Sequence, residues 1–200
     1  MAFPLKRIGL FLVKLFVMLI VTVMIMVLIP EFRYDLGPKT PVDVAAPKDL
    51  SPQRFATSTF ATVHGKGDFK KAFIHSKYGV PYTYFLLEGY GPALVVRTAE
   101  KVDDDWEKLD RHVGRLRTYR RMPFSRTVRA VFKDRFKVDI PADALFLARD
   151  DVPRLSGWQV AAAIFASTLW LILTYIFFVH GFVRRRKAKA SPAEPRPDAG

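Results

Sequence analysis

Two long apolar runs, residues 8–29 and 157–182, bracket a polar-patterned middle, and each is flanked on its outer side by Lys and Arg. A helix rises about 1.5 Å per residue, so roughly 20 apolar residues cross a hydrocarbon core about 30 Å thick, and each run supplies that many. The pattern predicts a membrane protein with two transmembrane α-helices flanking a small α+β, β-barrel-like domain of the OB or SH3 kind. Its segments are a cytoplasmic N-terminus (1–7), a first span (8–29), a Pro-rich linker (30–54), a β-rich domain (55–155), a second span (157–182) and a basic, disordered tail (183–200).

Positive charge beside the spans orients them. Lys6, Arg7 and Lys14 sit at the first span, and Arg184, Arg185, Arg186 and Lys187 follow the second, which predicts that both termini are cytoplasmic. Loops longer than about 60 residues translocate largely regardless of charge, so the 23 basic residues of segment 31–156 do not oppose this orientation. The domain is then expected in the periplasm of a bacterial-type inner membrane. Lys14 lies inside the first run and is expected to snorkel toward the headgroups, the alternative being a pairing with a partner helix. A cleaved signal peptide is the competing reading of that run. Its apolar part exceeds the usual signal core of about 7–15 residues, and the bulky stretch Ile29-Pro30-Glu31-Phe32-Arg33 offers no small-residue cleavage site.

The absence of cysteine removes thiolate catalysis, iron–sulfur ligation and Cys-type zinc sites. The net charge of +13 does not argue for nucleic acid, because more than half of it lies in segments 1–30 and 157–200 beside the spans, where lipid and topology account for it.

Prolines 30, 38, 41, 47 and 52 predict an extended linker. Beyond Phe55, short runs rich in β-branched and aromatic residues are divided by glycine: residues 60–64, 72–75, 82–87 and 93–98. They predict three or four antiparallel strands, with Gly65-Lys66-Gly67 read as a hairpin turn rather than a phosphate-binding loop. Acids at 103–105 ahead of Trp106 and Leu109 predict a helix start, residues 113–119 a strand, and residues 127–136 an amphipathic helix. Segment 141–147 reads as either a helix or a last strand.

Candidate chemistry is sparse. His64, His75, His112 and His180 lack metal-ligand spacing, although His64 and His75 with Asp68 or Glu88 would suit zinc if strands brought them together. No serine sits in a nucleophile motif, and the acid clusters at 103–105 and 150–151 lie among other charges, where nothing shifts a pKa toward catalysis. No catalytic residue, cofactor or metal ligand is therefore expected. The sharpest anomaly is charge segregation: residues 100–110 hold six acids, whereas residues 111–137 hold ten basic groups against Asp134 alone. Arg111, Arg115, Arg117, Arg120, Arg121, Arg126 and Arg129 form the candidate partner-binding strip, which either folds against the acids, is merely solvated, or docks an acidic protein surface or lipid headgroups. In the second run, Ala162 with Ala166 and Ala163 with Ser167 have the small-x-x-x-small spacing that lets helices approach closely.

The stretches Ala61-Thr-Val-His-Gly65, Gly91-Pro-Ala-Leu-Val-Val-Arg97 and Val113-Gly-Arg-Leu-Arg117, lying between two spans, give the chain an order of features that resembles the surfeit-one (Shy-type) cytochrome oxidase assembly proteins. Those proteins carry V-x-G, L-V-x-R-G-W and V-x-G-x-x-R stretches in that order. This chain has Thr98-Ala99 where the family has Gly-Trp, and no His or Tyr-x-x-Trp signature stands near residues 156–163, so no haem ligand carries over. The resemblance implies an architecture and a class of role. The expectation is a non-catalytic accessory subunit or assembly factor of a larger membrane complex, with the lipid bilayer and other complex subunits as partners and no nucleic acid. The alternative is a membrane-anchored ligand-binding or sensor domain with a pocket near Tyr82, Tyr84, Phe85 and Tyr90.

Overall fold

The computed structural model describes residues 3–77, 79–122, 124–149 and 151–180. The chain forms two units, a helical one made of residues up to Glu31 and from Leu155, and a sheet domain over Phe32–Arg154.

The helical unit contains α1 (Phe3–Asp35, whose last turn belongs to the sheet domain) and α3 (Gly157–Thr174), which continues as a π-helical turn over Tyr175–Val179. Ser156 starts α3 with a capping box, its hydroxyl accepting from the Gln159 amide while the Gln159 side chain accepts from Ser156 N–H. Both helices are long and apolar enough to cross a membrane, the stretches Ile8–Asp35 and Gly157–Val179 reaching about 42 and 35 Å. Leu10, Phe16, Met26, Val27, Phe165 and Leu171 are exposed, an apolar surface compatible with membrane insertion.

The two helices run antiparallel: Lys14 meets Phe177, and Thr22, eight residues later, meets Trp170, seven residues earlier. Ala166 is buried and Ala162 and Ala163 are half-buried, whereas Ser167 faces outward. Trp170 donates its indole N–H to Thr22 Oγ1 at 3.1 Å, and that hydroxyl in turn donates to Met18 O, so both polar groups are satisfied inside apolar surroundings. Lys14 Nζ lies 5.4 Å from the Phe177 ring centroid, a cation–π contact with the neighbouring helix.

The sheet domain has seven strands: β1 (Val42–Val44), β2 (Thr59–His64), β3 (Gly67–Lys77), β4 (Val80–Leu87), β5 (Leu94–Thr98), β6 (Arg111–Thr118) and β7 (Leu145–Ala148), with α2 (Ser125–Phe136) between the last two. They form one mixed sheet in the order β1-β2-β6-β7-β5-β4-β3. The expected closed barrel is not formed, because β1 and β3 end the order and do not pair. Nor are all neighbours antiparallel: β1 runs parallel to β2, and β5 parallel to β7.

Alternation builds two cores from one sheet. Phe85, Leu87, Leu94, Val96, Leu116, Leu145 and Leu147 pack on one face with Trp106, Phe55 and Val44, while Tyr84, Leu86, Val95 and Phe146 pack on the other beneath Val128 and Phe132 of α2. The central strand β7 is covered on both faces and so reads as an unbroken apolar run, as do the first three residues of β5 beside it.

Several local expectations are corrected. Gly65–Gly67 does not close a hairpin, since β2 pairs with β6 and β3 with β4. Pro30 does not end the first helix. Proline disturbs only the turn that precedes it, and the turn that follows is anchored: the Tyr34 hydroxyl donates to Asp151 O at 2.7 Å, and Lys39 Nζ donates to both Asp35 O and Pro153 O. The linker is also less extended than expected, with β1 paired into the sheet and Pro47–Asp49 in a 3₁₀ turn closed by Ala46 N–H on the Asp49 carboxylate. The acidic segment forms a 3₁₀ turn, Asp104–Lys108, that drives Trp106 into the core. Of the two readings for 141–147, the strand holds.

Candidate functional site

Period-two alternation places Arg111, Arg115 and Arg117 on one face of β6, and burial divides them along the strand. Arg111 is exposed near the strand's start, whereas Arg115 is 4% exposed and Arg117 half-buried. Arg115 and Arg117 share a face of the sheet, their Cα partners on β7 being Ala148 and Phe146. The Arg117 guanidinium lies 5.7 Å from the Phe146 ring, and Arg97 of β5 lies 5.5 Å from that ring and 4.6 Å from Tyr82. These guanidiniums therefore spend their planar faces on aromatic rings.

Arg115 is the centre of a clasp at the root of the domain. Its guanidinium stacks 4.3 Å from the Tyr34 ring and pairs with the Asp151 carboxylate at 3.5 Å, while Tyr34 hydrogen-bonds the Asp151 backbone. The last turn of α1, the middle of β6 and the segment after β7 thus meet at one ion pair, its arginine buried and its carboxylate half-buried. Tyr34 and Asp151 carry no motif in the sequence, and only the clasp's long-range geometry reveals them.

The remaining arginines gather after β6. Arg120 and Arg121 lie in a 3₁₀ turn, Tyr119–Arg121, and Arg126 and Arg129 on the first turns of α2. Arg120, Arg126 and Arg129 line a cavity of about 260 Å³ together with Tyr119 and Ser125. Among the described residues no carboxylate lines it. Arg129 Nη2 donates to Pro141 O at 3.1 Å, and its guanidinium sits 5.8 Å from the Tyr119 ring. Burial pushes the Tyr119 hydroxyl above its usual range, so it stays protonated and donates to Ser125 O at 2.9 Å. Phe124, in the left-handed region at φ 61°, precedes α2 without a side-chain cap, and no acid occupies the helix's first turn. Arg121 is exposed beside this group.

Among the described residues the acidic segment forms no ion pair with the strip. Within it Lys108 pairs with Asp105, and Glu100 with Arg149, whose guanidinium also stacks 4.0 Å from Trp106. His64 contacts Asp43 at 2.8 Å, His75 lies against Phe124, and His112 is buried, so no two of these meet. Among the described residues no three His, Asp or Glu side chains converge to hold a metal ion. The aromatic pocket imagined around residues 82–90 is filled: Tyr84, Phe85 and Tyr90 are buried in the two cores. An open apolar groove of about 580 Å³ lies instead beside the edge strand β3, along Phe69, Phe73, Ile74, Pro81 and Val102. Lys6 and Arg7 fall within α1, Lys14 meets Phe177 as described, and Arg184, Arg185, Arg186 and Lys187 lie outside the described residues, as does Asp150.

No family model, no curated protein and no solved structure matches this chain.

Proposed function

We propose that this chain is a membrane-anchored, non-catalytic accessory subunit or assembly factor of a larger membrane complex. Its two helices cross the bilayer of a bacterial-type inner membrane, both termini face the cytoplasm, and the sheet domain docks a partner on the other side. The observation that carries this reading is the exposed basic group Arg120, Arg121 and Arg126, which pairs with no acid among the described residues, on a fold joined to two helices with exposed apolar side chains. Such a surface orients and accelerates encounter with an acidic partner. The resemblance to the surfeit-one proteins points to the same class of role.

The test is affinity capture of the tagged full-length chain from membranes in mild detergent. Wild type retains a stoichiometric partner, and the triple change R120E/R121E/R126E loses it while remaining in the membrane fraction. A clean monomer from wild type refutes the proposal. For the topology, protease added to cells stripped of their outer envelope must cut the domain, and a protected domain refutes the orientation.

A further inference from the structure

We propose that the cavity at the start of α2 is a binding site for a phosphate group, carried either by a small soluble phosphomonoester or by a lipid headgroup. This goes beyond partner docking, because the cavity can hold its anion whether or not a protein covers the rim.

Three arginines, Arg120, Arg126 and Arg129, line one concavity of about 260 Å³ with Tyr119 and Ser125, and no carboxylate among the described residues lines it. Like charges gathered around a hollow repel one another, and a multivalent oxyanion between them removes that cost. Guanidinium forks match the oxygens of a phosphate two at a time, and three forks suit a dianion better than a single carboxylate. Arg129 is set in advance: one amino group is fixed on Pro141 O, the planar group lies over Tyr119, and its Nε is buried with no hydrogen-bond partner among the described residues. Tyr119 in turn is fixed through Ser125 O, so the wall of the cavity is ordered before any ligand arrives. The bare, acid-free N-terminus of α2 adds its positive dipole end to the same hollow.

The test uses the full-length, ¹⁵N-labelled chain in zwitterionic micelles or nanodiscs, titrated with inorganic phosphate and, separately, with phosphatidic acid in phosphatidylcholine discs. The expected result is a saturable shift of the Ser125 and Arg126 amides and of the Arg129 side-chain signal. In R126Q/R129Q the affinity falls at least roughly tenfold, and R129K, which keeps the charge and removes the fork, gives a smaller loss with the fold retained. R111Q leaves binding unchanged, since Arg111 stands at the far end of β6, roughly 20 Å away along the strand. Saturation by inorganic phosphate identifies a soluble ligand, and saturation only in phosphatidic acid discs identifies a headgroup; either supports the site. No saturation by roughly 10 mM phosphate or by the lipid overturns it. So does an equal loss in R111Q, which would mean diffuse attraction to net charge. Partner capture by a chain that fails to bind phosphate would refute this site and leave the docking proposal standing.

Discussion

Acidification should loosen the sheet domain through one side chain, His112. It is fully buried on β6, with its ring 5.7 Å from that of Phe85. Its Nε2 donates to Gly65 O at 3.0 Å, and Nδ1 is buried with no hydrogen-bond partner among the described residues. Burial, helped by the nearby Arg149 charge, holds the imidazole pKa down at about 4, from an ordinary 6.5. The unfolded chain therefore binds a proton that the folded chain refuses between pH about 6.5 and 4. Stability is fully present above pH 6.5 and is lost as pH falls through that window, levelling off below pH 4. Each pKa unit is worth about 1.4 kcal/mol, so the loss amounts to about 3 kcal/mol. Other groups titrate in the same window, and comparison with H112Q, whose amide still reaches toward Gly65 O and does not titrate, cancels them. Urea unfolding of the full-length chain in micelles, followed by the emission of the buried Trp106, measures both proteins. Wild type should be the more stable at pH 8, and its advantage should shrink by about 3 kcal/mol by pH 4. A difference between the two that stays flat from pH 8 to pH 4 would refute a neutral, proton-refusing His112.

Three further perturbations test the fold. At Gly114 an added Cβ would fall on the Ala148 carbonyl and within 2.7 Å of Arg149 Cα, so G114A must part β6 from β7 and should cost about 3 kcal/mol in the same urea assay, an unchanged midpoint contradicting the packing. Y34F keeps the ring over Arg115 but removes the hydroxyl bond to Asp151 O; about 1 kcal/mol of local stability should go, read as faster exchange of the Asp151 and Val152 amides with the rest of the sheet unaffected. W170F removes the bond to Thr22 and should weaken the antiparallel helix pair by about 0.6 kcal/mol in a detergent-driven dissociation assay, with no change meaning that the bond is replaced.

What could be read from residue order was local. The two apolar runs, the strands over residues 59–64, 80–87 and 94–98, and helix α2 follow from periodicity, which is set by neighbours two to four residues apart. Strand order was not legible, because β5 pairs in parallel with β7, some 50 residues later, and nothing in Leu94-Val95-Val96 distinguishes that partner from β6. The same limit applies to Pro30. A proline in sequence signals a break, yet the helix continues because Tyr34 finds a partner at Asp151, 117 residues away. Charge segregation was legible as composition but not as a surface, since Arg111 and Arg115 share one face of β6 and only the second meets Tyr34 and Asp151, which are distant in sequence.

That division of the arginines bears directly on function. A basic strip read along the sequence treats all seven arginines as equal, and reversal of any three would be an equal test. In the fold, Arg115 is committed to Asp151 and Tyr34, and Arg117 shares the Phe146 ring with Arg97. Reversing either would place a carboxylate in an enclosed, already balanced face, and the resulting loss of partner binding would report damaged packing rather than a broken interface. Among the described residues Arg120, Arg121 and Arg126 have no such internal partner, because β6 ends at Thr118 and the turn that follows releases the chain from the sheet's alternation. Charge reversal that tests the proposed docking surface therefore belongs after Thr118, and Arg129, tied to Pro141 and yet lining the cavity, combines a packing contact with a place in that group.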